Sequence, residues 1–167
     1  MRQILIPTAR AKLLSKDDTL KQVSERLACK ISIENGNEVV IDGDPYNEYL
    51  AANVIEAFAR GFDINTAYKL LNEDMYFKSV NLKEIFKNEK QIRRIKARII
   101  GKDGKTKRYI QAVSGATIEL YGGTVSGIGT LDQLRIAYTA IDILIEGGTH
   151  KKAYRAIERA RRELATQ

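Results

Sequence analysis

Residues 99–120 read IIGKDGKTKRYIQAVSGATIEL, and the reading of GKDG within them decides how the chain folds. Two helices joined by four residues need a sharp backbone turn, and glycine makes such a turn without steric cost. Gly101 and Gly104 therefore need no ligand to explain them. Three neighbouring features point further. The apolar pair Ile99 and Ile100 comes directly before the loop. A second helix starts directly after it, so its N-terminal amides and dipole favour an anion. Lys102, Lys105, Lys107 and Arg108 surround the turn. Bare glycine backbone lets a phosphate chain come close, and the cations supply charge, which together are what a single-stranded nucleic-acid clamp requires.

Working outward, residues 76–80 are strand-like, and Ile92, Ile95 and Ile99 fall at helical spacing before the loop. TKRYIQAV continues as a helix after it. ATIELY and GTVSGI read as two strands around Gly122 and Gly123, a pair suited to the positive backbone angles of a hairpin turn. Thr130 with Gln133 forms a capping box that opens a long helix over 131–146, and Gly147 with Gly148 ends it. Leu134, Tyr138, Ile141 and Ile145 make one apolar stripe on that helix, suited to lying across a sheet.

The first half repeats the order. RQILIP is a strand, ARAKLL and TLKQVSERLA are helices, and CKISI and EVVI are strands around Asn35 and Gly36. Asp44 followed by Pro45 starts a helix running through NEYLAANVIEAFARG. Aligning the halves places Leu14 on Ile100, Val23 on Ile110, Ile31 on Ile118, Ile55 on Ile141 and Gly61 on Gly147, with one residue missing from the first copy. The chain is thus expected to be a tandem duplication. A short helix is expected over 63–71. The stretch 149–165 is helical, with Ala153, Ile157, Ala160 and Leu164 inward and Lys152, Arg155, Arg159 and Arg162 outward.

The charge is unevenly distributed. Of a formal net +7, residues 1–86 carry 11 Lys/Arg against 13 Asp/Glu, and residues 87–167 carry 17 against 8. A polyanionic partner therefore belongs to the second half. With 167 residues, 44% of them hydrophobic, the chain can bury one good core or two small ones. No 18-residue apolar run is present, and MRQILIPTARAKLL has neither a long apolar region nor a cleavage site, so the expected location is the cytoplasm. The single cysteine, Cys29, sits among apolar neighbours and reads as a core thiol.

Catalytic readings find little support. Gly104-Lys105-Thr106 resembles the end of a phosphate-binding loop, but Ile99 stands where that motif needs its first glycine. Gly127 and Gly129 are followed by Asp132 where a dinucleotide fingerprint needs a third glycine. The only histidine, His150, has no HExxH or cysteine pair around it and is expected to lie exposed at the start of the terminal helix. Asp17 with Asp18, and Asp42 with Asp44, lie where helices begin and read as caps. No enzyme activity, cofactor or metal is expected.

The stretch quoted above, with GxxG at 101–104, a helix carrying Ile110, and Ser114-Gly115-Ala116-Thr117-Ile118 leading into a strand, resembles the KH-domain signature. The element order β-α-α-β-β-α matches type I, the form found in eukaryotic and archaeal KH proteins. The resemblance implies an α+β fold of two KH domains in tandem, three-stranded sheets covered by helices, plus an extra C-terminal helix. Residues 1–72 would be a degenerate KH domain and linker helix. In its loop, Ser15-Lys16-Asp17-Asp18 has no glycine and two carboxylates where a phosphate would sit. Residues 73–167 would be the RNA-binding copy. The whole chain is similar to archaeal members of the partner-of-Nob family of ribosome-assembly KH proteins.

That similarity implies single-stranded RNA binding near the 3′ region of small-subunit ribosomal RNA. It also implies contact with the Nob endonuclease and with the alpha subunit of initiation factor two. The expected RNA site comprises Ile100, Gly101, Lys102, Asp103, Gly104, Lys105, Lys107, Arg108, Arg94, Arg98, Ile110 and Ile118. About four nucleotides would lie between the loop and the strand over 117–121, with Ile100 and Ile110 as the apolar floor. The alternative is a protein-interaction scaffold with incidental nucleic-acid binding, and single-stranded DNA is a second possible ligand.

Overall fold

The computed structural model describes residues 1–166, and its elements fall into two units, Met1–Asn72 and Glu73–Gln167. The first begins with β1 (Arg2–Leu5), α1 (Thr8–Leu14) and α2 (Thr19–Leu27), then the hairpin β2 (Lys30–Glu34) and β3 (Glu38–Asp42). The long helix α3 (Pro45–Ala59) follows, then the short α4 (Ile64–Ala67) running into a single 3-10 turn at Tyr68–Leu71. All strands pair antiparallel in the order β1-β3-β2. Asp44 caps α3 by accepting from the amides of Tyr46 and Asn47, with Pro45 in the first turn. Val23, Ile31, Val39, Ile41, Val54 and Ile55 form the interior, and Cys29 is buried beside it.

The second unit repeats this plan with β4 (Tyr76–Asn81), a one-turn α5 (Leu82–Ile85), α6 (Glu89–Ile100), α7 (Lys105–Ser114), the hairpin β5 (Thr117–Tyr121) and β6 (Thr124–Gly129), and α8 (Leu131–Ile145). A further helix, α9 (His150–Ala165), packs on α7 and α8. The strand order β4-β6-β5 reproduces that of the first unit. The central strand β6 is buried along its whole length, and Gly127 lets Leu134 and Tyr138 of α8 press directly onto it. Tyr138 is the largest side chain in this core, and its hydroxyl lies 3.0 Å from the carbonyl oxygens of both Lys78 and Val125. Thr130 and Gln133 form the reciprocal capping box of α8.

The repeat has one internal correction. α2 has nine residues where α7 has ten, and the first hairpin turn, Asn35, Gly36 and Asn37, is one residue longer than Gly122 and Gly123. The shortfall of the first copy thus lies in a helix and is made up in the turn. At the ends of α1 and α6 the buried residues are Leu14 and Ile99, so Ile100, aligned with Leu14 by sequence, faces partly outward. Of the acidic pairs read as caps, Asp44 caps, whereas Asp18 stands at the N-cap of α2 with no side-chain bond to it. α5, nucleated by Asn81 accepting from the amide of Lys83, has no counterpart in the sequence reading.

Candidate nucleic-acid interface

The glycine loop is built by three backbone conformations that favour residues without Cβ strain. Gly101 has φ 75° and ψ 173°, Asp103 φ 55°, and Gly104 φ 76°. The Gly104 amide donates to the Gly101 carbonyl at 3.1 Å, so the loop closes on itself as a tight turn. α7 then begins at Lys105, and among the described residues no side chain caps its N-terminus. A Cβ on Gly101 would lie 2.8 Å from the Thr106 amide nitrogen, whereas one on Gly104 would meet only the tip of Arg108 at 2.9 Å. Lys102, Asp103, Lys105 and Arg108 are exposed. Arg108 Nη1 donates to the Asp103 carbonyl at 2.7 Å, which steadies the loop from the helix it precedes.

Beside the loop runs an open groove of about 260 Å³ lined by Ile100, Gly104, Lys107, Arg108, Gln111, Glu119 and Leu120. Ile100 and Leu120 give it apolar surface. Lys107 Nζ and Glu119 Oε1 face each other across it at 3.4 Å, both partly exposed. Gln111 Oε1 accepts from the Ile118 amide at 2.8 Å and so ties α7 to the edge strand β5. In a strand the peptide groups alternate in direction. The N–H and C=O of Leu120 therefore turn outward on the same side as the Ile118 amide, toward the groove.

Four of the expected site residues stand elsewhere. Ile110 and Ile118 are fully buried, since α7 and β5 turn them into the core beneath the groove; they support its floor without forming it. Arg98 points away, donating to the Leu144 carbonyl at 3.1 Å and to the Gly148 carbonyl, where it holds the end of α8. Arg94 lies on the solvent side of α6, opposite its buried row of Ile92, Ile95 and Ile99. The cations sharing the face of Ile100 are Lys96, four residues back, and Arg93, seven back. Lys96 Nζ donates to the Gly122 carbonyl at 2.6 Å, joining α6 to the β5-β6 turn. Counting back from Ile100 in helical steps finds both, and the density of charge along the chain does not.

Other contacts behind the loop have no local sequence signal. Thr106 Oγ1 lies 3.1 Å from the Tyr154 hydroxyl, and the Tyr109 hydroxyl donates to Glu158 at 2.8 Å. Burial and the Glu158 hydrogen bond push the Tyr109 phenol above its ordinary pKa. His150 heads α9 as expected but is half-buried, with Nε2 2.8 Å from the Arg98 carbonyl. Replacing Arg98 by methionine is expected to cost about 2 kcal/mol of stability in urea titration, the scale of hydrogen bonds made by a charged donor. RNA affinity should change by less than about threefold, because 1.4 kcal/mol is a tenfold effect and no direct contact is lost.

The equivalent loop of the first unit differs in its backbone. Asp17 has φ 53°, the counterpart of Asp103, but Ser15 and Asp18 have negative φ where Gly101 and Gly104 have positive φ. Ser15 Oγ donates to the Ala11 carbonyl at 2.7 Å. The turn is preserved while its bare main chain is not.

A three-stranded antiparallel sheet in the order β4-β6-β5, helices packed on one face and a GxxG turn between two of them define the second unit as a type I KH domain. A family model for the second KH domain of PNO1, described as a eukaryotic-type KH domain (KH-domain type I), matches residues 76–162. A KH domain-containing protein of Methanocaldococcus jannaschii is 32% identical over 166 residues, covering 95% of this chain and 73% of that one. The chain belongs to the PNO1/Dim2 family of KH proteins. The pre-rRNA-processing protein pno1 of Aspergillus fumigatus is 37% identical over 103 residues, 60% of this chain and 41% of that protein. Among solved structures, Dim2p of Pyrococcus horikoshii aligns with TM-score 0.86 and 36% identity over 95% of this chain and 98% of that one. An a/eIF2alpha–aDim2p–rRNA complex from the same organism aligns with TM-score 0.88 and 35% identity, over 97% of this chain and 94% of that one.

Proposed function

We propose that this chain binds single-stranded RNA through the glycine loop and groove of its second unit, as an assembly factor of the small ribosomal subunit acting near the 3′ region of its rRNA. The observation that carries this is the bare turn at 101–104, set at an uncapped helix start and opening onto an apolar-floored groove. Phosphates lie along the bare main chain of the loop with Lys102 and Lys105 beside them. About four bases turn over Ile100 and Leu120. The Leu120 peptide and the side chains of Lys107, Gln111 and Glu119 face base edges, while Arg108 holds the loop in shape. The relatives named as pre-rRNA-processing proteins and the structure solved with rRNA support this reading.

The first unit is proposed to be a KH domain that has lost its clamp. Its repeated strand order and the match of the second unit to a second KH domain both favour this. With side chains at Ser15 and Asp18 and two carboxylates in the turn, it is suited to contact protein rather than phosphate. The structure neighbour that holds a/eIF2alpha together with rRNA supports a combined role in which one chain engages a translation-factor subunit and RNA.

The full-length chain is expected to bind short single-stranded RNA with sequence preference. Its log K should fall with log salt at a slope of about −2 to −3, for three or four phosphate contacts at roughly 0.7 each. A fluorescence-anisotropy titration against 3′ small-subunit rRNA fragments and scrambled controls measures both. Binding indifferent to sequence would leave charge alone at work and remove the groove from the proposal.

A further inference from the structure

The flank of α7 opposite the groove carries a second hollow, of about 460 Å³, lined by Tyr109, Tyr154, Arg155, Glu158, Arg159 and Arg162. The two tyrosine rings stand 4.3 Å apart between centroids, tilted by 39°. Each hydroxyl is anchored, Tyr109 to Glu158 and Tyr154 to Thr106, so the rings are fixed while remaining half-exposed. Arg155, Arg159 and Arg162 recur at helical spacing along the outer face of α9. Arg159 pairs with Glu163 at 3.0 Å and Arg161 with Glu158 at 3.0 Å. Such exposed pairs are weak in water and exchange readily for a phosphate.

Fixed aromatic rings beside cations that can follow a backbone are the means by which single strands are held without base readout. The position of the hollow adds to this. Thr106, bonded to Tyr154, is one residue past Lys105 and two past Gly104. Lys107 and Gln111 face the groove, and Tyr109 the hollow, with exposed Lys105 and Arg108 between them. An α-helix is about 10–12 Å across, so a strand leaving the clamp reaches the tyrosines by crossing the first turn of α7.

We propose that this hollow is a second nucleotide subsite for the same RNA strand, continuing beyond the four-nucleotide clamp. A base rests against Tyr154 and Tyr109, and the adjoining phosphates meet Arg155, Arg159 and Arg162. The inference rests on the clamp reading and extends it in length.

The test uses the full chain and two single-stranded fragments of the 3′ region of small-subunit rRNA. One has four nucleotides, and the other has the same four flanked by three on each side. In the triple variant Arg155→Ala, Arg159→Ala, Arg162→Ala, tetramer affinity is expected to stay within about twofold. Decamer affinity should fall about tenfold, and its salt slope should become shallower by about 2, for three lost phosphate contacts at roughly 0.7 each. 2-Aminopurine placed just outside the tetramer should be quenched by the wild-type chain and not by Tyr154→Leu. Equal weakening of both fragments, or a decamer that binds wild type no better than the tetramer, overturns the subsite and leaves the clamp. Failure of both fragments to bind wild type overturns the clamp itself. Binding of a polyglutamate peptide that the triple variant abolishes, with decamer affinity unchanged, assigns the hollow to an acidic protein segment and also overturns the subsite.

Discussion

Gly104→Asp is expected to lower affinity for single-stranded RNA roughly fifty-fold and to leave the second unit folded, the new carboxylate costing about 2–3 kcal/mol against a phosphate some 4 Å away. The folding cost is small for two reasons. Aspartate is among the residues that enter the left-handed region, and Asp103 next to it already has φ 55°. The nearest atom to the new Cβ is Arg108 Nη1, the end of an exposed side chain, which can shift at the cost of its one hydrogen bond to the Asp103 carbonyl and which attracts the carboxylate in exchange. Gly104→Asn has nearly the same shape without the charge and should lose less than about tenfold, since the repulsive part of that energy is absent. Circular dichroism and anisotropy on the same samples separate folding from binding. Equal losses for both variants would show that the effect is steric, and unchanged affinity in Gly104→Asp would remove the loop from the RNA site.

The largest effect on stability is expected at the other glycine of the same turn. At φ 75° and ψ 173°, Gly101 occupies a region that is essentially closed to side-chain-bearing residues, and entering it costs about 1–3 kcal/mol. A methyl group there also meets Thr106, whose amide nitrogen would lie 2.8 Å from the new Cβ. Thr106 cannot move aside cheaply, because it is buried and bonded to Tyr154. Gly101→Ala is therefore expected to destabilise the second unit by about 3–4 kcal/mol, and its thermal midpoint should fall by roughly 15 °C or more. A loss under 1 kcal/mol in urea unfolding would mean that the loop is slack enough to relax, which is not a loop poised to receive a backbone. The two glycines divide the work: Gly101 makes the turn possible, and Gly104 keeps its outer surface bare.

Much of this arrangement is legible along the chain because it is written locally. The Thr130 and Gln133 capping box, the Asp44-Pro45 start, the Gly122-Gly123 turn and the isoleucine spacing of α6 each act within a few residues, and each appears in the structure. The floor of the groove is less legible. Ile110 and Ile118 belong to the signature stretch only as core residues, and chemistry alone does not separate an isoleucine under a groove from one lining it. Arg98 illustrates the same difficulty for charge, since a guanidinium can serve helix-end carbonyls as well as phosphates. The tyrosine pair between α7 and α9 depends on packing between residues 45 positions apart in sequence, Tyr109 and Tyr154, and no periodicity announces it. In the first unit the missing glycines are plain, but the positive φ retained by Asp17 emerges only from the folded turn.

Amide resonances of the full-length chain, followed during titration with a short single-stranded RNA from the 3′ region of small-subunit rRNA, offer the sharpest measurement. The largest shifts are expected at Gly101, Lys102, Asp103, Gly104 and Lys105, continuing to Leu120, with the turn at Lys16 and Asp17 unmoved. Shifts that spare those five amides while others in the chain respond would contradict a clamp at GKDG.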